Sequence, residues 1–427
     1  MGAIIPFGLI STIWPVAVWL MLATVLFVLA LAVADYRFLI DAFNAIRFKR
    51  TLPNSAGRGA SCNVGLELIN IIQRRLSGSL RDLPPEGVTP ETWQYDILLE
   101  PNGAIQENYS CIIPERGVHH WGLTHLRLKG FLGFLEGQMA LGEPQSVKVY
   151  PESAVPDGEY QVFTQIEYDL KKSSSTRRRG EGMDFETIDR FVEGDDPRHI
   201  DWFSTARSGE FMVRRYQQDQ HREVVILLDC GRLMGAQTSA GNKLDRAVDA
   251  ALLLFRIAGH RGDSCSFGVY DNQVRSFLLP QRGIGAYKRV LENVYDVECS
   301  FIESDFSVMF SKLQQKQRKR SLVVIISDVV DSNTSGRMKR ALAELKKQHM
   351  VVFAAMRTPA LSNYANQVVD STRGVMRQAV AMQLEQEREK ALHQISKLGV
   401  TVLDTEPEGL TVPLLNQYIR IREQGLL

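Results

Sequence analysis

Two apolar runs, each ending on an acid, constrain this chain most: Val224-Val-Ile-Leu-Leu-Asp229 and Leu322-Val-Val-Ile-Ile-Ser-Asp328. Neither alternates with polar residues, so a strand formed from either has no solvent face. It must be covered on both sides, as strands of parallel sheets are. Further strands are expected at 264–270, 274–279, 350–355 and 400–403, and helices at 243–260, 286–295, 307–314, 335–348, 382–397 and 410–423. The 243–260 helix carries Leu244, Ala247, Val248, Ala251, Leu252, Phe255 and Ala258 at the spacing of one buried stripe. Strand alternating with helix predicts an α/β domain over 223–427, a mostly parallel sheet with helices on both faces. Only Asp271-Asn-Gln separates two of the strands, which permits an antiparallel hairpin alone and makes one edge mixed. Ligands of such sheets bind beyond the carboxyl ends of the strands. Asp229 and Asp328 are therefore the candidate site.

The amino-terminal residues 1–34 carry no charged side chain. A membrane-crossing helix needs about 20 apolar residues, and 15–34 is the expected span, with Trp14, Trp19 and Tyr36 as interfacial anchors. A cleaved signal peptide is the rival, but the segment lacks a basic start and is longer than the usual apolar core. A hairpin turning near Pro15 would leave two halves short for crossing. Arg37, Arg47, Lys49 and Arg50 follow the span, so the positive-inside rule puts the bulk of the chain in the cytoplasm. The domains expected are a membrane anchor (1–36), a β-sandwich (37–160), a linking segment (161–222) and the α/β domain (223–427).

The β-sandwich rests on short alternating runs, among them Trp93-Gln-Tyr-Asp-Ile-Leu-Leu99 and Asn108-Tyr-Ser-Cys-Ile-Ile113, set between Pro and Gly turn signals. Phe131-Leu-Gly-Phe-Leu135 is expected as core. The basic stretch 171–179 reads as an exposed loop, or as a contact for anionic lipid or an acidic partner.

With 427 residues and a net charge of +1, the chain has room for several cores and no field that favours nucleic acid. Its five cysteines have no Cys-x-x-Cys spacing, which suggests neither a zinc site nor a disulfide framework. There is no P-loop and no Gly-x-Ser-x-Gly elbow. Cys230 reads as a buried thiol rather than a reactive one.

Gly180-Glu-Gly-Met-Asp-Phe-Glu, Phe191-Val-Glu-Gly-Asp-Asp-Pro-Arg-His-Ile-Asp-Trp202 and Thr205-Ala-Arg207 resemble the signature of a bacterial membrane-protein family labelled domain of unknown function 58. The resemblance implies an immunoglobulin-like sandwich and a carboxyl-terminal von Willebrand factor A-like domain. It also implies an adaptor or assembly role beside a MoxR-type AAA+ ATPase, with no established reaction.

A von Willebrand A-like domain often holds Mg²⁺ through an Asp-x-Ser-x-Ser turn, hard oxygen ligands for a hard ion. Asp229 fits the first position and Asp328 the second acid. Gly231 and Leu233 replace the serines and offer no oxygen, so the site is degenerate and Mg is disfavoured. Alternatively, both acids cap turns or helix starts. The signature residues Asp184, Asp195, Asp196, Arg198, Asp201, Trp202 and Arg207 form either an ion-paired latch against the α/β domain or a docking surface. No catalytic residue is expected. The reading is a membrane-anchored, non-catalytic interaction protein of the bacterial inner membrane. An Mg-dependent binding module and a carboxylate hydrolase are the alternatives.

Overall fold

The computed structural model describes residues 15–90, 92–152, 184–192, 195–217, 222–239, 241–329, 335–367 and 371–425. The basic stretch 171–179 and most of the Gly180 motif lie outside these residues. The chain divides into two compact units, Met1–Tyr150 and Pro151–Leu427.

The first unit opens with helix α1 (Pro15–Asn44), long and apolar enough to cross a membrane. The helix runs ten residues past the expected end at 34. From residue 18 to 34 no side chain is buried, whereas Asp35, Phe38, Leu39 and Ala42 are. The second part of the helix therefore belongs to the β-rich core, and packing extends it where apolar character alone would end it.

Eleven strands follow: β1 (Ile46–Thr51), β2 (Ser55–Gly57), β3 (Ser61–Asn70), β4 (Leu76–Arg81), β5 (Thr89–Pro90), β6 (Gln94–Leu99), β7 (Ala104–Ile112), β8 (Gly117–Trp121), β9 (Thr124–Lys129), β10 (Glu136–Leu141) and β11 (Gln145–Tyr150). They form sheets ordered β1-β3-β7-β5, β10-β9-β4-β6 and β2-β11-β8. β3 alternates buried and solvent-facing residues along nearly its whole length, the pattern of a sheet with one face on a core. Buried Asp82 accepts hydrogen bonds from Arg50, Thr124 and Tyr109 inside that core. Phe131, Leu132 and Phe134 are not core. They stand 72%, 43% and 53% exposed on the turn between β9 and β10, because a six-residue hairpin turn has no interior to fold them into.

In the second unit β12 (Asp184–Arg190) pairs antiparallel with β13 (Met212–Gln217), and the short helix α2 (Trp202–Ser208) lies between them in sequence. The main sheet contains β14 (Glu223–Asp229), β17 (Ser264–Tyr270), β18 (Val274–Gln281), β19 (Leu322–Ser327), β20 (Met350–Met356) and β21 (Thr401–Thr405) in the order β18-β17-β14-β19-β20-β21. The two-residue strands β15 (Gln237–Thr238) and β16 (Gly241–Asn242) pair beside it. All neighbours in the main sheet are parallel except the β17–β18 hairpin at its edge, as the Asp271-Asn-Gln connection requires.

Helices α3 (Lys243–His260), α4 (Ile284–Val294) and α9 (Thr411–Glu423) cover one face. Helices α5 (Phe306–Lys316), α6 (Ser335–Gln348) and α8 (Thr372–Lys397) cover the other, and α7 (Pro359–Asn366) precedes α8. A reciprocal cap between Asn242 and Asp245 starts α3. Helix α8 begins ten residues before its apolar stripe announces it, since Val375, Met376 and Val380 face outward. The chain leaves β14 for β17 on one side and later returns to β19 on the other. The crevice between β14 and β19 is thus where strand order reverses.

Candidate functional site

Asp229 and Asp328 stand at the carboxyl ends of these two neighbouring strands, 2% and 4% exposed. Both carboxylate oxygens of Asp229 are engaged. Its Oδ1 accepts from the Gly231 N–H (2.8 Å) and Ser304 Oγ (2.5 Å), and its Oδ2 accepts from Ser327 Oγ (2.5 Å). Burial pushes this carboxyl above the usual range. The two hydroxyls and the amide pull it back without cancelling that rise, and the nearby Asp328 charge adds to it.

Asp328 is held by cations from the chain itself. Lys243 Nζ lies 2.6 Å from Oδ2, and Arg388 Nε lies 3.1 Å from Oδ1, which also accepts the Val329 N–H. Lys243 is completely buried, and its other two ammonium protons go to the Met356 carbonyl (3.0 Å) and Thr358 Oγ1 (2.7 Å). All three donors are satisfied, the condition for keeping a charge in an interior. Burial still lowers the ammonium from its ordinary value, against the pull of Asp328. The network continues from Arg388 to Asp404 on β21 (2.9 Å) and from Asp404 to Arg357 (3.0 Å). Burial pushes the Asp404 carboxyl up, but Arg388 and Arg357 outweigh it and hold the carboxyl low.

Gly231 and Ser304 fit against each other at the turn after β14. A Cβ at 231 would stand 2.0 Å from Ser304 Oγ. A hydroxyl from the loop before α5 thus fills the space where the turn's own side chain would go. Neither Ser304 nor Lys243 was singled out from sequence. Lys243 could have been, for it leads Ala247 and Ala251 by helical steps of four and falls in line with the buried stripe. Ser304, Arg388 and Asp404 come from distant segments and carry no local signal. Among the described residues, no group of three or more His, Cys, Asp or Glu is placed to hold a metal ion. Cys230 is buried, and burial with the neighbouring acids pushes its thiol up to about 12, so it is protonated and inert at neutral pH.

The signature residues form a small module around β12, α2 and β13, with carboxylates that cap and pair inside it. Asp201 caps α2 through the Ser204 N–H and pairs with Arg214 at 2.6 Å. Asp196 caps the turn at Pro197–His199 and lies 3.5 Å from Arg198, and Asp195 accepts the Val192 N–H. Asp184 begins β12, and Arg207 is exposed in the last turn of α2. The cation on Asp201 is therefore Arg214, which no motif marked, rather than Arg198 or Arg207. Trp202, Phe203 and Phe211 stand 67%, 78% and 58% exposed, with Trp202 edge-on to Phe211 at 6.5 Å.

An apolar helix, a β-rich unit and an α/β unit with a buried acidic pair at its strand switch define the class of protein. The chain belongs to the family described as Protein of unknown function DUF58, whose family model matches residues 188–422. Uncharacterized proteins of Mycobacterium tuberculosis and Mycobacterium bovis are 24% identical to it over 155 residues, 36% of this chain. The chain spans about half the length of these curated relatives, 49%. Among solved structures, the conserved hypothetical protein BatB from Bacteroides thetaiotaomicron is 13% identical, with a TM-score of 0.33 over 48% of this chain and 98% of that one. Proximal thread matrix protein 1 from the mussel byssus is 12% identical, with a TM-score of 0.33 over 47% of this chain and 48% of that one. Likeness at that level assigns nothing further to this chain.

Proposed function

We propose that the chain is a membrane-anchored, non-catalytic interaction protein of the bacterial inner membrane, with an immunoglobulin-like β unit and a von Willebrand A-like α/β unit in the cytoplasm. Its partner is a MoxR-type AAA+ ATPase, and the pair serves the assembly or maturation of other proteins. One observation carries the docking reading. In the 184–217 module, acids cap turns and pair internally while Trp202, Phe203 and Phe211 point outward. Trp and Arg are among the residue types that dominate binding energy at interfaces, and Phe is enriched there.

The test is photo-crosslinking from a benzophenone amino acid at position 203 of the full chain in native membranes, with a MoxR-type AAA+ ATPase as the expected adduct. Trp202→Ala should weaken binding of the purified ATPase at least about 30-fold, the equivalent of a hot spot of about 2 kcal/mol. An unchanged affinity together with no adduct rejects the reading.

A second reading, an Mg-dependent binding module, is favoured by one feature. Asp229, Ser304 and Ser327 gather a carboxylate and two hydroxyls within hydrogen-bond distance. Lys243 counts against it, since the acid that would complete the site already holds a buried ammonium. Asp328 and Asp404 are already paired with Lys243, Arg388 and Arg357, so an added divalent ion would have to displace one of these cations to use either acid. Magnesium titration of the full chain separates the two: stabilisation that disappears in Asp229→Ala would support the metal-dependent reading.

A further inference from the structure

Within the first unit, the end of α1's exposed stretch and the β9–β10 turn are joined by one carboxylate. Asp35 is the first charged side chain of the sequence, and it is 1% exposed. Its Oδ1 accepts the Leu132 N–H at 2.7 Å, and its Oδ2 accepts the N–H groups of Phe134 (2.8 Å) and Leu135 (3.3 Å). The turn is closed by Gly130 N–H to the Leu135 carbonyl, and Gly133 takes a left-handed φ of 75°. Gly130 is required where it stands, because a Cβ there would lie 2.5 Å from the Asp35 carboxyl group. The turn is thus locked to the helix at one level, with Phe131 against Phe38 at 6.1 Å between ring centres.

That level is set by the helix. Twenty residues, 15–34, at about 1.5 Å each span about 30 Å, the thickness of a hydrocarbon core. No described side chain from 18 to 34 is buried, and burial begins at Asp35. The water-facing boundary of the bilayer therefore falls where the Phe131-Leu-Gly-Phe134 tip is held. The tip turns three large apolar side chains outward instead of into the core. Basic residues lie close by in the chain and in space: Arg37 follows Asp35 on α1, Lys129 stands at the base of the turn, and Arg74 lies over the Phe38 ring at 5.8 Å. Glu136 flanks the other side.

We propose that the 130–135 turn is a second membrane contact, inserting Phe131, Leu132 and Phe134 into the interfacial zone of the leaflet from which α1 emerges. It rests on the reading of α1 as a membrane span. Aromatic side chains favour that zone, and an apolar element lying in it sinks about 5–10 Å toward the acyl boundary. Two contacts fix the tilt and rotation of the β-rich unit on the membrane, which a lone helix leaves free. Asp35 makes this possible by satisfying the backbone N–H groups of the turn, which could not be left bare in an apolar surrounding.

The experiment uses the full chain in nanodiscs of phosphatidylcholine and phosphatidylglycerol, with Cys299→Ser to remove the one cysteine that is not buried. A nitroxide is attached through Phe131→Cys, and separately through Leu26→Cys, and its collisions with oxygen and with a water-soluble nickel chelate are compared. Oxygen should dominate at both positions, with the label at 131 shallower than at 26. Asp35→Asn should loosen the label at 131 and shift it toward the nickel chelate. A label at 26 in lipid with one at 131 in water overturns the second contact and leaves the anchor standing. Water at 26 overturns the anchor, and the turn's insertion with it. A label at 131 shielded from both agents means that protein covers the turn, and also overturns the proposal.

Discussion

Replacing Lys243 by methionine tests the centre of the α/β unit most sharply. The substitution keeps a long unbranched side chain and removes only the ammonium. At 2.6 Å the pair with Asp328 attracts by about 6 kcal/mol with an effective dielectric constant of about 20. Desolvation of both ions, several kcal/mol each, offsets much of that in the wild type. The variant loses the attraction but keeps buried Asp328, and strands the Met356 carbonyl and Thr358 hydroxyl as well. Removing one partner of a buried pair costs about 3–5 kcal/mol. For a domain of this size that lowers the melting temperature by about 6–20 °C. The assay is thermal unfolding of the full chain in nanodiscs, followed by circular dichroism, with and without magnesium. Lys243→Met with Asp328→Leu should recover most of the loss, because Arg388 keeps Asp404 as its partner. Magnesium should leave the wild type unmoved and raise the melting temperature of Lys243→Met, whose Asp328 has lost its nearest cation. The reasoning is refuted if Lys243→Met costs less than about 1 kcal/mol, the scale of an exposed pair, or if the double variant is no more stable than the single.

Three further outcomes follow from the same geometry. Gly231→Ser should destabilise by about 1–3 kcal/mol through its overlap with Ser304, and Ser304→Gly in the same chain should restore most of it, both read as melting temperatures. Because Asp229 titrates above its unfolded value, the native state binds the extra proton between the two values. Its contribution to stability therefore declines as pH rises out of the carboxylate range. The stability of Asp229→Asn relative to wild type should accordingly increase from pH 4 to 7, and a flat difference across melts in that range would contradict the raised value. Finally, native protein treated with a thiol reagent at pH 8 should react at no more than Cys299, with Cys62, Cys111, Cys230 and Cys265 modified only after unfolding. Mass spectrometry after proteolysis assigns the modified sites.

The main sheet was legible in the sequence because its strands are buried on both faces. Val224–Leu228 and Leu322–Ile326 admit no other environment, and the three residues of Asp271-Asn-Gln leave only a hairpin. Helix α3 was legible through its stripe. Helix α7 was missed because Pro359–Asn366 is too short to show a stripe, and the start of α8 because its apolar side chains face outward. The Phe131–Leu135 run was read as core from its composition, whereas its fate depended on a hairpin too short to have an inside.

That Asp229 and Asp328 each end a buried parallel strand is a property of the sequence, while the strand order that makes the two neighbours came from the structure. What surrounds them is not. Lys243, Ser304, Arg388 and Asp404 lie far apart along the chain and reach the acids only when α3, α8, β21 and the loop before α5 have packed. Local composition sets where a strand must be buried and where it must end. Which charge a buried carboxylate faces is fixed by long-range packing, because interior ions are tolerated only where partners from other segments arrive to meet them. Sequence alone therefore determined that an acid ends each of these two buried strands. Only the tertiary structure decided that one acid is held by hydroxyls and the other by the chain's own lysine.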